Sequence, residues 1–195
     1  YYGQSLNRHF WQVDEFPNIE SYTSPYQSID IVPDLFTYKT NQEYYLYLDQ
    51  KLQYANRNEV IYHESMVHGS INLNKKAPQN VLVLGGGEGL IAREILKYDS
   101  IKNIDLVELD SSIITLATTH PLFTRQNKNS LSDVRVHIHL DDAYRWVKNS
   151  SSSYDAIFID LPHPFSVELS RLYSFEFYSF VKKLLAPNAF LIFDY

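Results

Sequence analysis

The chain has 195 residues, 45% of them hydrophobic and 15% aromatic, with a formal net charge of −6; this allows one large domain, or a large domain with a small one, and a sizeable core. The acidic balance and the lack of a basic stripe argue against nucleic acid as a partner, and the absence of cysteine excludes disulfides and thiolate metal sites. No apolar run is long enough to span a membrane, and no signal peptide is visible.

The chain begins Tyr-Tyr rather than Met, as a piece of a longer chain would. Residues 1–60 read as a β-rich region. SIDIV (28–32) is short and β-branched, and EYYLYLD (43–49) is aromatic and alternating. Asp49-Gln50 is placed as a hairpin turn leading into a strand over 51–54. NEVIYHESMVH (58–68) predicts a helix with Asn58 as N-cap. From Asn80 onward strands and helices alternate: strands over 81–85, 103–110, 134–140, 154–160 and 189–194, and helices over 90–98, 112–120, 143–149 and 177–186. VLVLG (81–85) is a continuous apolar run, as a strand buried on both faces requires. The second helix is expected to stop near Pro121. This alternation implies a parallel sheet covered on both faces, so the second domain is taken as 61–195.

The chemistry concentrates at one turn. Gly85, Gly87 and Gly89 follow the first buried strand and open a helix. Such a turn ordinarily cradles phosphate, because free backbone N–H groups and the helix dipole favour an anion. Glu88, already an anion, stands within it. Glu108 ends the next strand, where an acid accepts hydrogen bonds from ribose hydroxyls. Asp142 and Asp160 follow or end later strands and would reach the same carboxyl-terminal edge of the sheet. Four acids repel phosphate; they suit a sugar joined to a cation, as in an adenosyl sulfonium. The bland alternative is a tight turn in which Glu88 merely favours the helix N-terminus.

With those residues in view, the chain resembles the spermidine synthase family, the polyamine aminopropyltransferases, over about residues 24–195. The resemblance rests on ordered blocks: SPYQSIDIV, YLYLDQKLQYANRNEVIYHESMVH, VLVLGGGEGLIAREILKY, VELD, LDDA, YDAIFIDLPHP and RLYSFEFYSFVKKLLAPNAFLIF. The DLP form of the loop is similar to the branch often fused to membrane-spanning segments. The resemblance implies a doubly wound, mostly parallel Rossmann-like α/β sheet of methyltransferase type, behind a small β-rich region that makes oligomer contacts. It implies transfer of an aminopropyl group from decarboxylated S-adenosylmethionine to a diamine or polyamine, with methylthioadenosine released and no prosthetic group. Glu88 would bind the donor's ammonium beside Gly85 and Gly87, Glu108 the ribose, and Asp142 the adenine amino group. Gln27, Gln53 and His63 would line the donor pocket, Tyr62 would face the acceptor, and Asp160 would be the catalytic acid–base residue. The resemblance also implies a homodimer or homotetramer, a cytoplasmic setting, and further chain beyond Tyr195.

The loop departs from the family pattern at one place. Where a second acid is usual, the sequence carries His163, so acceptor binding or activity is expected to differ. Two alternatives stay open: a methyltransferase using S-adenosylmethionine, against which Glu88 argues because that donor carries a carboxylate, and an impaired, spermidine-synthase-like binding module. His137 and His139 share one strand face without a third ligand placed by spacing, so no metal site is expected.

Overall fold

In a computed structural model, residues 19–34, 43–74, 77–162, 164 and 166–193 are described. The chain divides between Tyr62 and His63 into two compact units.

The first unit carries an antiparallel sheet in the order β1 (Glu20–Thr23), β2 (Ser28–Pro33), β3 (Tyr44–Leu48) and β4 (Lys51–Ala55). Ile29, Ile31 and Leu46 are buried, and Ile31 lies opposite Leu46. The β3–β4 turn falls at Asp49-Gln50 as expected, with φ of 47° and 64°. Two consecutive left-handed residues make the type I′ turn whose twist matches a hairpin. Asp49 Oδ1 accepts the Ser28 N–H at 2.9 Å and so ties the turn to β2. β1 has only four residues and no apolar alternation, and the sequence did not reveal it.

The helix expected over 58–68 is observed as a longer helical run. It is α-helical over Glu59–Glu64, widens to a π-helix over Ser65–Gly69 and returns to α over Ser70–Leu73. Ser70 Oγ donates to the Met66 carbonyl at 2.7 Å within the widened stretch.

The second unit is built on five parallel strands in the order β7-β6-β5-β8-β9: β5 (Asn80–Gly85), β6 (Asn103–Glu108), β7 (Val136–Leu140), β8 (Tyr154–Asp160) and β9 (Leu185–Phe193). All four pairings are parallel, so the expected doubly wound α/β sheet is present. Val81 to Leu84 are fully buried, as their unbroken apolar run requires. One face packs Leu82, Leu84, Ile157 and Ile159 against Val147, Phe177 and Val181 of the helices Ala143–Asn149 and Phe175–Lys183.

Two boundaries differ from the sequence reading. Pro121 does not end the helical segment; it is the first residue of a second helix, Pro121–Asn127, behind the helix Ser111–Thr119. Proline fits that position because its missing N–H has no helical partner there, and His120 Nδ1 accepts the Leu122 N–H as the cap. β9 starts at Leu185 rather than 189, because an irregularity carries the register from Tyr154↔Leu185 to Ala156↔Phe190.

Strand β5 ends at Gly85, which has φ of +82°; a Cβ there would stand 1.9 Å from the Asp160 carbonyl oxygen. Backbone cannot yield as a side chain end can. Gly85→Ala is therefore expected to lower unfolding stability by about 3 kcal/mol or more, read as a lower urea midpoint. An unchanged midpoint would contradict this close approach.

Candidate active site

In a sheet ordered β7-β6-β5-β8-β9, the connections leave to opposite faces between β5 and β8, and ligands bind in the crevice beyond the strand ends there. Gly85 and Asp160 end these two strands and are register partners. The candidate site grows from this pair.

Gly86 and Gly89 also have positive φ, and the Gly89 N–H donates to the Gly86 carbonyl at 3.0 Å, which closes the turn. Two side chains hold it from outside. Asn127 Nδ2 donates to the Glu88 carbonyl at 2.9 Å, and Ser130 Oγ to the Gly89 carbonyl at 2.6 Å. Sequence reasoning missed both. Their partners lie about forty positions away along the chain, and neither belongs to a motif.

The turn directs the Glu88 side chain inward. Among the described residues its Oε1 is enclosed and accepts no hydrogen bond, and His63 Nε2 lies 3.7 Å from it. His63, Glu88 and Asp160 each offer one atom, all within 4.8 Å of one another. Burial pushes the Glu88 carboxyl up to about 7; the Asp160 charge and, more weakly, Glu108 add to the rise, while His63 opposes it. Two carboxylates and an imidazole so arranged form a receptor for a cation, either an ammonium group or a metal ion.

Glu108 lies beside the same turn. Its Oε1 accepts the Asp110 N–H at 2.8 Å, and the backbone N–H groups of Leu109 and Gly87 also serve it. Burial nevertheless raises its pKa. A Cβ at Gly87 would come within 2.7 Å of Glu108 Oε2, so glycine at 87 is what lets this carboxylate approach the loop. Asp142 stands beyond β7. Its Oδ1 accepts the Arg145 N–H as N-cap of the helix Ala143–Asn149, and its Oδ2 accepts from Arg171 Nη2. The Asp142 carboxylate is thus already oriented by two donors.

The second unit therefore brings together His63, Gly85, Gly87, Glu88, Glu108 and Asp160, with Asp142 at the adjoining strand end. Gln27, Gln53 and Tyr62 belong to the first unit. Gln27 is half-buried and its N–H donates to Ser24 Oγ; Gln53 is exposed and Tyr62 half-buried. His163 and Tyr195 lie outside the described residues. Of the strand histidines, His139 pairs with Asp105 at 2.8 Å and packs on the Trp146 ring, which gives it a structural task. A second group, Glu64, His68 and Glu94, also brings three possible ligand atoms together. There Lys97 and Arg93 already supply cations to Glu94.

A family model for the spermine/spermidine synthase domain matches residues 59–194. The chain belongs to the spermine/spermidine synthase family. It is 36% identical over 193 residues to a polyamine aminopropyltransferase of Oceanobacillus iheyensis, covering 98% of this chain and 36% of that protein. It is 37% identical over 172 residues to polyamine aminopropyltransferase 1 of Streptomyces coelicolor, covering 88% and 32%. Among solved structures, a spermidine synthase in complex with the transition-state analogue AdoDATO superposes with a TM-score of 0.76 at 27% identity, over 87% of this chain and 55% of that one. The spermidine synthase of Thermotoga maritima gives 0.74, with 87% and 54% covered. The chain thus spans about a third of the length of the two family enzymes named first. Among the described residues no helix is long and apolar enough to cross a membrane.

The raised Glu88 pKa gives stability a defined pH dependence. Between about 4.5 and 7 the folded chain keeps a proton that the unfolded chain has lost, so stability falls as pH climbs through that window. Glu88→Gln has no such titration. Near pH 8 the variant is expected to be more stable than the parent chain, by on the order of 2 kcal/mol, with the difference closing as pH falls toward 4. Denaturant unfolding at both pH values reads this, and a difference that grows toward acid would contradict it.

Proposed function

We propose that the protein transfers an aminopropyl group from decarboxylated S-adenosylmethionine to a diamine or polyamine and releases methylthioadenosine. The observation that carries this reading is the enclosed, unbonded Glu88 Oε1 at the mouth of a glycine turn, with Asp160 and His63 beside it. A nucleoside site of this architecture usually offers positive charge to phosphate. This one offers a desolvated carboxylate, which suits an ammonium group. S-adenosylmethionine carries a carboxylate next to that amine, and Glu88 would repel it, which favours the decarboxylated donor. The names of the relatives agree: polyamine aminopropyltransferases, and a spermidine synthase holding a transition-state analogue.

In this reading Glu108 accepts the ribose hydroxyls, Asp142 the adenine amino group, and Gln27, Gln53 and His63 complete the donor pocket. Tyr62 and the loop residue His163 serve the acceptor. The reaction is a displacement at the carbon next to sulfur: the amine nitrogen forms the new C–N bond as the C–S bond breaks, and both electrons leave with neutral methylthioadenosine. A protonated amine has no lone pair to attack with. Asp160 accepts its proton and orients the nitrogen, and alignment of nitrogen, carbon and sulfur supplies much of the rate. No acid is needed for the leaving group. His163 cannot hold an ammonium as a second carboxylate would, so we place acceptor choice at this position. We also place the protein in the cytoplasm, as a homodimer or homotetramer; this follows the family resemblance.

Asp160→Asn keeps the shape of the side chain and removes the base. Methylthioadenosine release with a panel of diamines and polyamines is expected to fall by about 10²–10⁴-fold, while donor affinity stays within a few-fold. Unchanged turnover would overturn the role given to Asp160.

A further inference from the structure

Arg171–Tyr173 is a single 3-10 turn between the Asp160 loop and the helix Phe175–Lys183. Leu172, its middle residue, is buried in the core and fixes the turn to the sheet. The residues on either side reach different ends of the candidate site. Arg171 Nη2 donates to Asp142 Oδ2, and its guanidinium carbon lies 5.6 Å from the centroid of the Tyr144 ring. Tyr173 Oη donates to the Pro162 carbonyl at 2.9 Å and lies 3.2 Å from the Leu161 carbonyl oxygen. These are the first two carbonyls after Asp160. Pro162 has no N–H to contribute, and this hydroxyl holds the backbone as it leaves β8.

We propose that the turn Arg171–Tyr173 is a two-ended clamp on the site, with Arg171 a positioning residue for Asp142 and Tyr173 a positioning residue for the loop that begins at Asp160. The inference rests on the reading of Asp142 as the adenine acceptor and Asp160 as the base. A carboxylate has about four acceptor positions. The helix cap and Arg171 take two, which fixes the plane of Asp142 and leaves room for an amino group. The Arg171 side chain is half exposed, at 52%, so the pair adds little to stability and its effect lies in orientation. At the other end the base must stay within hydrogen-bond reach of the amine. Small displacements of such a group are costly to rate, and the Tyr173 hydroxyl limits them.

Tyr173→Phe keeps the ring and removes only the hydroxyl; Arg171→Gln keeps a polar side chain and removes the charge. Each variant is measured for turnover, for methylthioadenosine affinity and for amide hydrogen exchange. Tyr173→Phe is expected to lower kcat by about tenfold, leave methylthioadenosine affinity unchanged and speed exchange only in the peptide after Asp160. Arg171→Gln is expected to weaken methylthioadenosine binding about threefold, leave kcat at saturating donor unchanged and speed exchange only around Asp141–Arg145. Parallel losses of affinity and kcat in both variants, or unchanged local exchange in either, would overturn the clamp. If the parent chain transfers no aminopropyl group, the functional reading fails by itself, and the exchange pattern still decides the clamp.

Discussion

A buried carboxylate with one enclosed, unbonded oxygen is costly to keep ionised, and the Glu88 side chain is held in that condition by the fold itself. Its acidic neighbours make matters worse: Asp160 and Glu108 raise its pKa further, while His63 and a backbone N–H work the other way. The scaffold keeps it there through contacts that are rigid and mostly backbone. Gly85 lets β5 end against the Asp160 carbonyl, Asn127 and Ser130 hold the turn by its carbonyl oxygens, and glycine at 87 admits the Glu108 side chain. A protein selected for stability alone would place glutamine or a hydrophobic residue in such a setting. The natural partner for the arrangement is a ligand that brings its own positive charge.

In the proposed function, cation recognition and base catalysis both rest on one piece of geometry. Glu88, proposed to read the donor, and Asp160, proposed to take the acceptor's proton, lie near each other because β5 and β8 are adjacent and in register. The Asp160 charge disfavours ionisation of Glu88. An ammonium bound beside Glu88 would favour its ionised form.

Much of this was legible in the sequence for a physical reason. Strands buried on both faces must be continuous apolar runs, so VLVLG and AIFID announced themselves, and the acids at their ends are placed by the architecture once the strands are known. Glu88 was legible because a negative residue contradicts the usual use of a glycine turn. The less visible features depend on contacts distant in sequence or on alternative uses of one residue. Pro121 reads equally as the end of one helix or the start of another, and the helix it starts delivers Asn127 to the glycine turn. Arg171 and Tyr173 act through single hydrogen bonds that leave no periodic trace. Asp142 was visible as an acid at a strand end, but its capping of the helix Ala143–Asn149 and its bond to Arg171 were not. Gln27, Gln53 and Tyr62 lie in the first unit, and their parts remain those implied by the family resemblance.

The central claim is that Glu88 exchanges a proton for a ligand's positive charge. Isothermal titration calorimetry near pH 6, with decarboxylated S-adenosylmethionine in buffers of differing ionisation enthalpy, tests it most directly. At that pH a carboxyl titrating at about 7 is mostly protonated, so binding should release about one proton, and ordinary S-adenosylmethionine should bind more weakly. Binding without proton release, or a preference for the donor that keeps its carboxylate, would contradict the account.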